Sequence, residues 1–416
     1  MTVQSHATRV LSRPEFIALV AGLMALNALA IDIMLPALPY MGEALGVSNE
    51  NERQLVVSAY MIGFGAAQLA FGPLTDRFGR RAPLFVGMAI YIVCAFAAVF
   101  APTFAILLGL RFVQGLGAAS TRVIATSVVR DLYSGREMAQ VMSLTFMVFM
   151  AIPIVAPSIG QVILLTGPWH YIFLFMGGLA TLIAAWAFFR LPETLHPEFR
   201  RPLNLGTIID GFRLVITNRM AFFYGLAGMF LFAALFGFII SSQQIFVGIY
   251  GLGPWFPLAF AAIAGLMSLS SFLNSRFVQR FGMRRLSHAA ILIYLGAGVI
   301  LLGLSLIGPV PFAVFFVLLV TIQFVFGSAA SNMNSLSMEP LGAVAGSAAA
   351  VFGFMQTVGG AVLGTLIGQQ FNGTLTPNAT GYVAMGSLAL ACILIAEKGR
   401  LFGVGKEYET APALAE

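Results

Sequence analysis

The chain has 416 residues, of which 59% are hydrophobic and only 9% are charged. A soluble protein of this length has too little interior to bury so much apolar surface, so the composition excludes an ordinary soluble domain. The net charge of +6 does not indicate a nucleic-acid partner, because the basic residues lie in short segments between apolar runs, where they mark membrane topology.

Long apolar runs predict membrane-spanning helices, because about 18 or more apolar residues are needed to cross a bilayer. The alternating pattern of a membrane β-barrel is not found. The predicted spans, first to twelfth, are 14–37, 53–72, 83–101, 103–128, 138–165, 170–190, 219–246, 254–276, 286–307, 311–334, 346–370 and 380–397. The sequence therefore predicts an all-α membrane protein with twelve transmembrane helices.

The distribution of basic residues predicts the orientation. With the N-terminus inside, 19 of the 22 Lys and Arg residues fall in cytoplasmic segments and only Arg53 falls in an outer one, as the positive-inside rule requires. An even number of spans then places both termini in the cytoplasm. A cleavable signal peptide is not expected. We therefore expect a multi-pass protein of the inner (cell) membrane.

The sequence also indicates two related halves. The stretch "GPLTDRFGRR" (72–81) returns in degenerate form as "VQRFGMRR" (278–285), with the two Phe-Gly pairs 203 residues apart. A duplicated six-helix unit is the plan of many secondary transporters. The predicted units are an N-terminal six-helix bundle (1–190), a cytoplasmic linker loop (191–218), a C-terminal six-helix bundle (219–397) and a cytoplasmic tail (398–416).

Asp32 is the one acid that lies clearly inside a predicted span. Ionisable groups at membrane depth are costly and are usually functional. Arg111 lies at a similar depth, so the two side chains are expected to meet or to share a water. Burial disfavours the charged carboxylate whereas a nearby arginine favours it, and a proton carrier needs these effects to balance. We predict that Asp32 and Arg111 couple transport to protons; the alternative is a carboxylate satisfied by local hydrogen bonds.

Arg122 shares a helix face with Arg111, because eleven residues make three turns plus about 20°. A cation at this depth needs a partner, and Asp76 and Asp131 are the nearby acids. A structural salt bridge or a side chain that extends to the inner surface is one interpretation of Arg122. Contact with a substrate or an anion is the other.

Polar and adaptable apolar residues at middle depth are candidates for the wall of a substrate cavity. Many such groups only bridge or pack helices in membranes, which is the alternative. The predicted substrate-binding residues are Asn27, Tyr60, Gln114, Phe232, Phe236, Met355 and Gln356.

The loop 72–81 predicts a gate on the cytoplasmic side. Its glycines allow tight turns, and Asp76 can accept hydrogen bonds from a helix N-terminus, for which the start of the eleventh span near Gly346 and Ser347 is the candidate. Arg77 is expected to pair with Asp131, whereas Arg80 and Arg81 either belong to the gate or only mark topology. The predicted gate residues are Gly72, Asp76, Arg77, Gly79, Arg80 and Asp131.

The fifth predicted span carries Pro153, Pro157 and Gly160. The prolines remove backbone donors and bend the helix, and the glycine permits close packing. We expect this helix to seal against the other half, unless the bend is a static kink.

These motifs resemble a known family. The stretch 72–81 resembles the loop motif of the major facilitator superfamily, "RFVQGLGAAS" (111–120) resembles its fourth-helix motif, and "APSIGQ" (156–161) resembles its antiporter motif, from which Ala156 and Gln161 depart. Three further stretches resemble the bicyclomycin- and chloramphenicol-resistance group of drug:proton antiporters. They are "LAIDIMLPALP" (29–39), "WHYIFLF" (169–175) and "EPLGAVAGSAAAVFG" (339–353). The resemblance covers nearly the whole chain. It implies two pseudo-symmetric six-helix bundles, a loop that gates the cytoplasmic side, and a proton-carrying acid in the first helix.

The function expected is secondary active export of small lipophilic or amphipathic compounds in exchange for protons, by alternating access. The alternative is a proton-coupled uptake symporter for a small metabolite. An enzyme is not expected, since no catalytic cluster, metal-ligand spacing or phosphate-binding loop is found, and a receptor would bring a sizeable soluble domain. The partners expected are a small-molecule substrate, protons and the lipid bilayer, with no cofactor, metal or nucleic acid, and the protein is expected to be a monomer.

Overall fold

The structure, a computed structural model, describes residues 11–133, 135–196, 198, 200 and 205–403. All regular structure in these ranges is helical. The helices are α1 (Arg13–Asp32), α2 (Leu38–Ala44), α3 (Glu50–Arg53), α4 (Leu55–Phe78), α5 (Arg81–Ala98), α6 (Phe104–Leu132), α7 (Gly135–Thr166), α8 (His170–Arg190), α9 (Leu205–Thr217), α10 (Arg219–Gln243), α11 (Phe256–Phe281), α12 (Met283–Ile307), α13 (Phe312–Met338), α14 (Ala345–Phe354), α15 (Gly360–Gln369) and α16 (Thr376–Ala396).

Eleven predicted spans appear in the described residues as helices, or as helices joined end to end, that are long and apolar enough to cross a membrane. The fifth predicted span corresponds to α7, a helix of 32 residues with the apolar stretch Ala151–Thr166. The prediction of an all-α membrane fold is confirmed. We call the end of the molecule that carries residues 72–81 the inner end, and the opposite end the outer end.

The first span is longer than predicted and is broken near its outer end. α1 ends at Asp32, a 3₁₀ turn follows at Leu35–Ala37, and α2 continues to Ala44. Pro36 and Pro39 lack the N–H group that would continue α1, but each is tolerated in the first turn of the element it begins. The break therefore places a carboxylate at a helix C-terminus inside a membrane span.

The predicted linker loop 191–218 contains a helix, so that part of the expectation was wrong. Residues Leu205–Thr217 form α9, which packs against α14 and α10. Val215 is buried in one apolar cluster with Val351 and Phe352. Tertiary packing of this kind stabilises a short helix that would be marginal alone. Residues 197, 199 and 201–204 lie outside the described residues, as do 404–416 of the predicted tail. The boundaries of the two bundles stay a prediction.

Close packing within the first half depends on glycine. A Cβ atom at Gly63 would overlap the carbonyl of Phe112, and one at Gly115 would overlap the backbone of Tyr60. Glycine at these two positions therefore lets α4 and α6 approach closely. Between the halves, α4 packs along α14 and α15, and α7 packs against α11.

The inner loops of the two halves share one backbone turn. α4 ends at Phe78 and is followed by Gly79 at φ +87°, and α11 ends at Phe281 and is followed by Gly282 at φ +81°. This conformation favours glycine, and each turn leads at once into the next helix, α5 or α12. The shared turn at a spacing of 203 residues supports the internal duplication.

Two spans of the second half contain a π-helical turn. One, Gln244–Ile249, extends α10 at the outer end, and the other, Met355–Gly359, joins α14 to α15. π-helical turns are often found at functional sites. The second turn carries two of the predicted substrate residues, Met355 and Gln356.

Candidate functional site

Asp32 lies at the break in the first span and is only 4% exposed. Its Oδ1 atom is buried and has no hydrogen-bond partner among the described residues. The carboxylate also lies at the C-terminus of α1, where the helix dipole is negative. The local structure therefore stabilises a negative charge at Asp32 poorly. The alternative interpretation, a carboxylate satisfied by local hydrogen bonds, does not agree with this unpartnered oxygen.

Helix α7 packs directly against the break in the first span. A Cβ atom at Gly160 would overlap the carbonyl oxygen of Ile33 and would lie 3.2 Å from Pro36 Cγ. Pro153 and Pro157 lie one to two turns earlier in the same helix. α7 also packs against α11 of the other half, and its role as a seal stays a prediction. Its contact with the residues that follow Asp32 was not predicted.

Arg111 is fully buried and is bound to neutral groups. Its Nη2 donates to Ala30 O at 2.8 Å, its Nη1 to Gln114 Oε1 at 2.7 Å and its Nε to Val56 O at 3.3 Å. Ala30 O is one of the last four carbonyls of α1, which lack intrahelical partners. No ion pair joins Arg111 to Asp32 in the described residues, since the guanidinium binds these carbonyls and the amide instead. The alternative expectation, a water shared by the two groups, stays a prediction.

A chain of polar side chains continues from Arg111 towards the middle of the first half. The guanidinium lies over the ring of Tyr60, 4.4 Å from its centroid. The Tyr60 hydroxyl donates to Asn27 Oδ1 at 3.3 Å, and Asn27 Nδ2 donates to Thr121 Oγ1 at 2.9 Å. Gln114 Nε2 is buried without a partner in the described part of the chain. Three predicted substrate residues thus form one connected network with Arg111.

The other four predicted substrate residues lie in the second half. Phe232 and Phe236 have ring centroids 5.7 Å apart, and Phe232 also contacts Phe326 at 5.4 Å. Gln356 lies against Gly228 of α10. All four predicted residues are partly exposed. No hydrogen bond or ring contact joins this group to the Arg111 network in the described residues, and the substrate wall stays a prediction.

Arg122 has no ion pair in the part of the chain that the structure describes. Its guanidinium lies 5.9 Å from the ring centroid of Phe64. The acids predicted as its salt-bridge partners, Asp76 and Asp131, both bind Arg80. The structural salt bridge considered for Arg122 was therefore wrong.

At the inner end, Arg80 rather than Arg77 binds the acids. Arg80 is 3% exposed, and its guanidinium lies 2.8 Å from Asp131 and 2.7 Å from Asp76. Burial alone would lower the pKa of Arg80, but the hydrogen bonds to Asp131 and Asp76 outweigh burial and raise it. The turn at Gly79 directs Arg80 back under α4 and α6, whereas Arg77 lies on the exposed last turn of α4, over Phe78. The predicted Arg77–Asp131 pair was therefore wrong.

Glu193, which was not predicted, completes this inner cluster. Glu193 accepts hydrogen bonds from the backbone N–H groups of Arg80 and Arg81, at 2.8 and 3.1 Å, and so caps the N-terminus of α5. The contact predicted between Asp76 and the start of the eleventh span, near Gly346 and Ser347, stays a prediction, because the structure does not describe the surroundings of these two residues. All described hydrogen bonds of residues 72–81 end within the first half or at residues 191–193.

The second half carries a matching cluster around Arg284. Its Nε donates to Glu397 at 2.9 Å and its Nη2 to Glu339 at 3.5 Å. Arg284 and Glu397 each lie 204 residues after their counterparts Arg80 and Glu193. This offset is one residue longer than the 203 residues between the Phe-Gly pairs, so the spacing of those pairs did not identify Arg284 and Glu397.

At the outer end, amide side chains join the two halves. Asn51 Nδ2 donates to Gln369 O and Phe371 O at 3.0 and 2.8 Å, and Gln369 Nε2 donates to Asn51 O at 2.6 Å. Gln244 Nε2 donates to Asn51 Oδ1 at 2.9 Å, and Gln54 bonds Gln244. We call these four amide residues the outer amide cluster. This cluster was not predicted, because single amides in separate spans have no informative spacing.

A cavity of about 220 Å³ lies beside the outer amide cluster, between the two halves. Its lining includes Glu50, Arg53, Gln54 and Gln244. None of the seven predicted substrate residues lines it. The cavity therefore does not coincide with the predicted substrate site.

The comparisons with known proteins agree with this architecture. A family model described as Major Facilitator Superfamily matches residues 20–365. The chain is 32% identical to the Bicyclomycin resistance protein homolog of Haemophilus influenzae, over 87% of this chain and 91% of that protein. It is 29% identical to the Chloramphenicol resistance protein of Pseudomonas aeruginosa, over 89% of this chain and 86% of that protein.

A solved structure shows the same fold. The xylose transporter XylE from E. coli, in a partially occluded inward-open conformation, superposes with a TM-score of 0.70 at 12% identity, over 93% of this chain and 97% of that chain. At this identity the likeness concerns the fold alone. Because the family model covers most of the chain, the chain belongs to the Major Facilitator Superfamily of membrane transporters, as its motifs predicted.

Proposed function

We propose that this protein exports small lipophilic or amphipathic compounds in exchange for protons, as a monomer with both termini in the cytoplasm. The observation that carries the proposal is the buried Asp32 carboxyl, whose Oδ1 has no partner in the described residues. Such a group can gain a proton without losing a structural ion pair. The names of the relatives, which refer to bicyclomycin and chloramphenicol resistance, support drug-like substrates.

In this mechanism Asp32 carries the proton. It lies in the outer half of the first span, Arg13–Ala44, so a proton reaches it from the outer side when the halves separate there. Arg111 binds Ala30 O, two residues before Asp32, and so positions the break. Gly160 packs on the other side of the break at Ile33. A change in the charge of Asp32 therefore acts on two helices, α6 and α7, as well as on α1.

The two ends of the molecule would open alternately, as in related transporter folds. The outer amide cluster closes the outer end here, and the inner motif contacts its own half in the described residues. This combination supports a state in which substrate enters from the inner side. Protonation of Asp32 then belongs to the state in which the outer amide cluster is broken. The predicted substrate residues of both halves face the compound between these states.

The alternative is uptake by symport, and the direction of the proton-driven flux separates the two. A pH gradient, acidic inside, would be imposed across inverted membrane vesicles that contain the protein. Uncharged chloramphenicol would then be added outside the vesicles. Export in the cell corresponds to accumulation inside these vesicles, and Asp32→Asn should abolish it. Accumulation by that variant, or proton-driven flux in the opposite direction, contradicts the proposal.

A further inference from the structure

Arg122 lies deep in the membrane span, and its side chain points away from the inner surface. It is ten residues from the inner end of α6, or about 15 Å. Its guanidinium lies beside the ring of Phe64, which is 14 residues, about 21 Å, from the inner end of α4. A side chain that extended to the inner surface would lean the other way. Arg122 therefore keeps its charge inside the membrane.

The direction of the side chain is towards the interior of the protein. Phe64 is 4% exposed, and the next residue, Gly65, packs against Thr357 and Val358 of the second half. Arg122 itself is partly exposed. The guanidinium thus lies beside α4, the helix that packs against the second half.

No hydrogen bond or ion pair from the Arg122 guanidinium exists within the described residues. Arg111, on the same face of α6, shows the contrast, because its guanidinium donates to two carbonyls and one amide. A guanidinium has five N–H donors and keeps its charge. The two acids considered as its partners, Asp76 and Asp131, both bind Arg80. The donors of Arg122 are therefore available to a ligand.

We propose that Arg122 binds the carboxylate of an amphipathic organic anion, with the Phe64 ring beside the apolar part of the ligand. A guanidinium and a carboxylate form two parallel hydrogen bonds. The inference rests on the proposed transport function and names a substrate class for it, organic carboxylates. Arg122 is eleven residues, about 16 Å, along α6 from Arg111, so the anion and the proton occupy separate sites.

The test is equilibrium binding of three probes with one ring system to the purified full-length protein in detergent, by calorimetry. The probes are 2-naphthoate, its neutral amide 2-naphthamide, and the cation 2-naphthylmethylammonium. The wild type should bind the naphthoate at least tenfold more tightly than the amide, and the cation most weakly. Arg122→Gln should weaken naphthoate binding at least tenfold and leave amide binding within twofold. Arg122→Lys should recover part of the loss.

Arg130→Gln is the matched control, since Arg130 is an exposed arginine two turns further along α6 and should change no binding constant. The proposal is overturned if the wild type does not prefer the carboxylate, or if Arg122→Gln weakens all three probes equally. Binding needs no pH gradient, so its outcome is independent of the vesicle assay. If the protein binds naphthoate as expected but shows no proton-driven flux, the proposed export is contradicted and the anion site is still supported.

Discussion

The side chain of Arg80 donates to both carboxylate oxygens of Asp131, with Nε to Oδ2 at 2.8 Å and Nη2 to Oδ1 at 3.2 Å. This two-bond contact joins the start of α5 to the end of α6. Arg77, three residues earlier, makes no such contact in the described residues. One turn at Gly79 thus decides which arginine of the motif is structural.

The first prediction concerns this pair. Arg80→Ala should lower the thermal unfolding midpoint of the detergent-purified protein by several degrees, because removing one partner of a buried ion pair costs up to about 3–5 kcal/mol. Arg77→Ala, at an exposed position, should leave the midpoint within about 1 °C. Equal shifts for the two variants would show that Arg80 has no special structural role.

The second prediction concerns the proton carrier. Asp32→Asn should fold with an unchanged unfolding midpoint or a higher one, since the amide replaces a buried acid that lacks a partner for Oδ1. Proton-driven transport in vesicles should fall at least a hundredfold while binding of the transported compound persists. Glu43→Gln, at an exposed acid, is the control and should transport normally. A fully active Asp32→Asn protein would contradict the role of Asp32.

The third prediction concerns the packing of α7 on the broken first span. Gly160→Ala should destabilise the protein and slow transport, because the added Cβ overlaps the carbonyl of Ile33. Gly178→Ala is the matched control: its Cβ meets nothing within 4 Å, and alanine in a helix is favoured over glycine by up to about 1 kcal/mol. Gly160→Ala should lower the unfolding midpoint and Gly178→Ala should raise it. An unchanged midpoint in Gly160→Ala would show that α7 can move away from Ile33 without a loss of stability.

The fourth prediction concerns the outer amide cluster. Asn51→Ala removes the hydrogen bonds to Gln369 O, Phe371 O and Gln244, so the outer end should open more often. Spin labels at Glu43 and Thr374, on exposed positions of the two halves, should report a longer distance component in that variant. The native cysteines, Cys94 and Cys392, are buried and do not compete for the label.

Glu52→Gln is the control for this measurement, since Glu52 is exposed and its side chain accepts only from Asn49 in the described residues. It should leave the distance distribution unchanged. An unchanged distribution in Asn51→Ala would mean that apolar packing of α4 on α15 closes the outer end without the amides.

The helical spans could be predicted because burial in lipid imposes long apolar runs, which can be read one segment at a time. The repeated Phe-Gly pair also predicted the duplication, since the turn after each pair needs a positive φ, which glycine adopts readily. Pro36 and Pro39 gave a signal for the break after Asp32, but the apolar run beyond them concealed where the span ends.

Partner choice could not be predicted in the same way. Arg77 and Arg80 have the same charge and differ only in which side of Gly79 they occupy, so the turn geometry decides which one binds Asp131. The amide contacts of Asn51 join segments more than 300 residues apart, and such contacts leave no local pattern. The four predicted roles of gate, substrate wall, proton carrier and antiporter helix stay predictions.

The three charges at membrane depth, Asp32, Arg111 and Arg122, all belong to the first half, whereas the second half contributes aromatic rings, methionine and amides. On the proposed assignment, the proton carrier Asp32 and the anion-binding Arg122 both lie in the first half, and the second half adds an apolar and amide surface for the rest of the compound. Substitutions around Phe232 and Met355 can then broaden or narrow the range of exported compounds over generations without disturbing the use of the proton gradient.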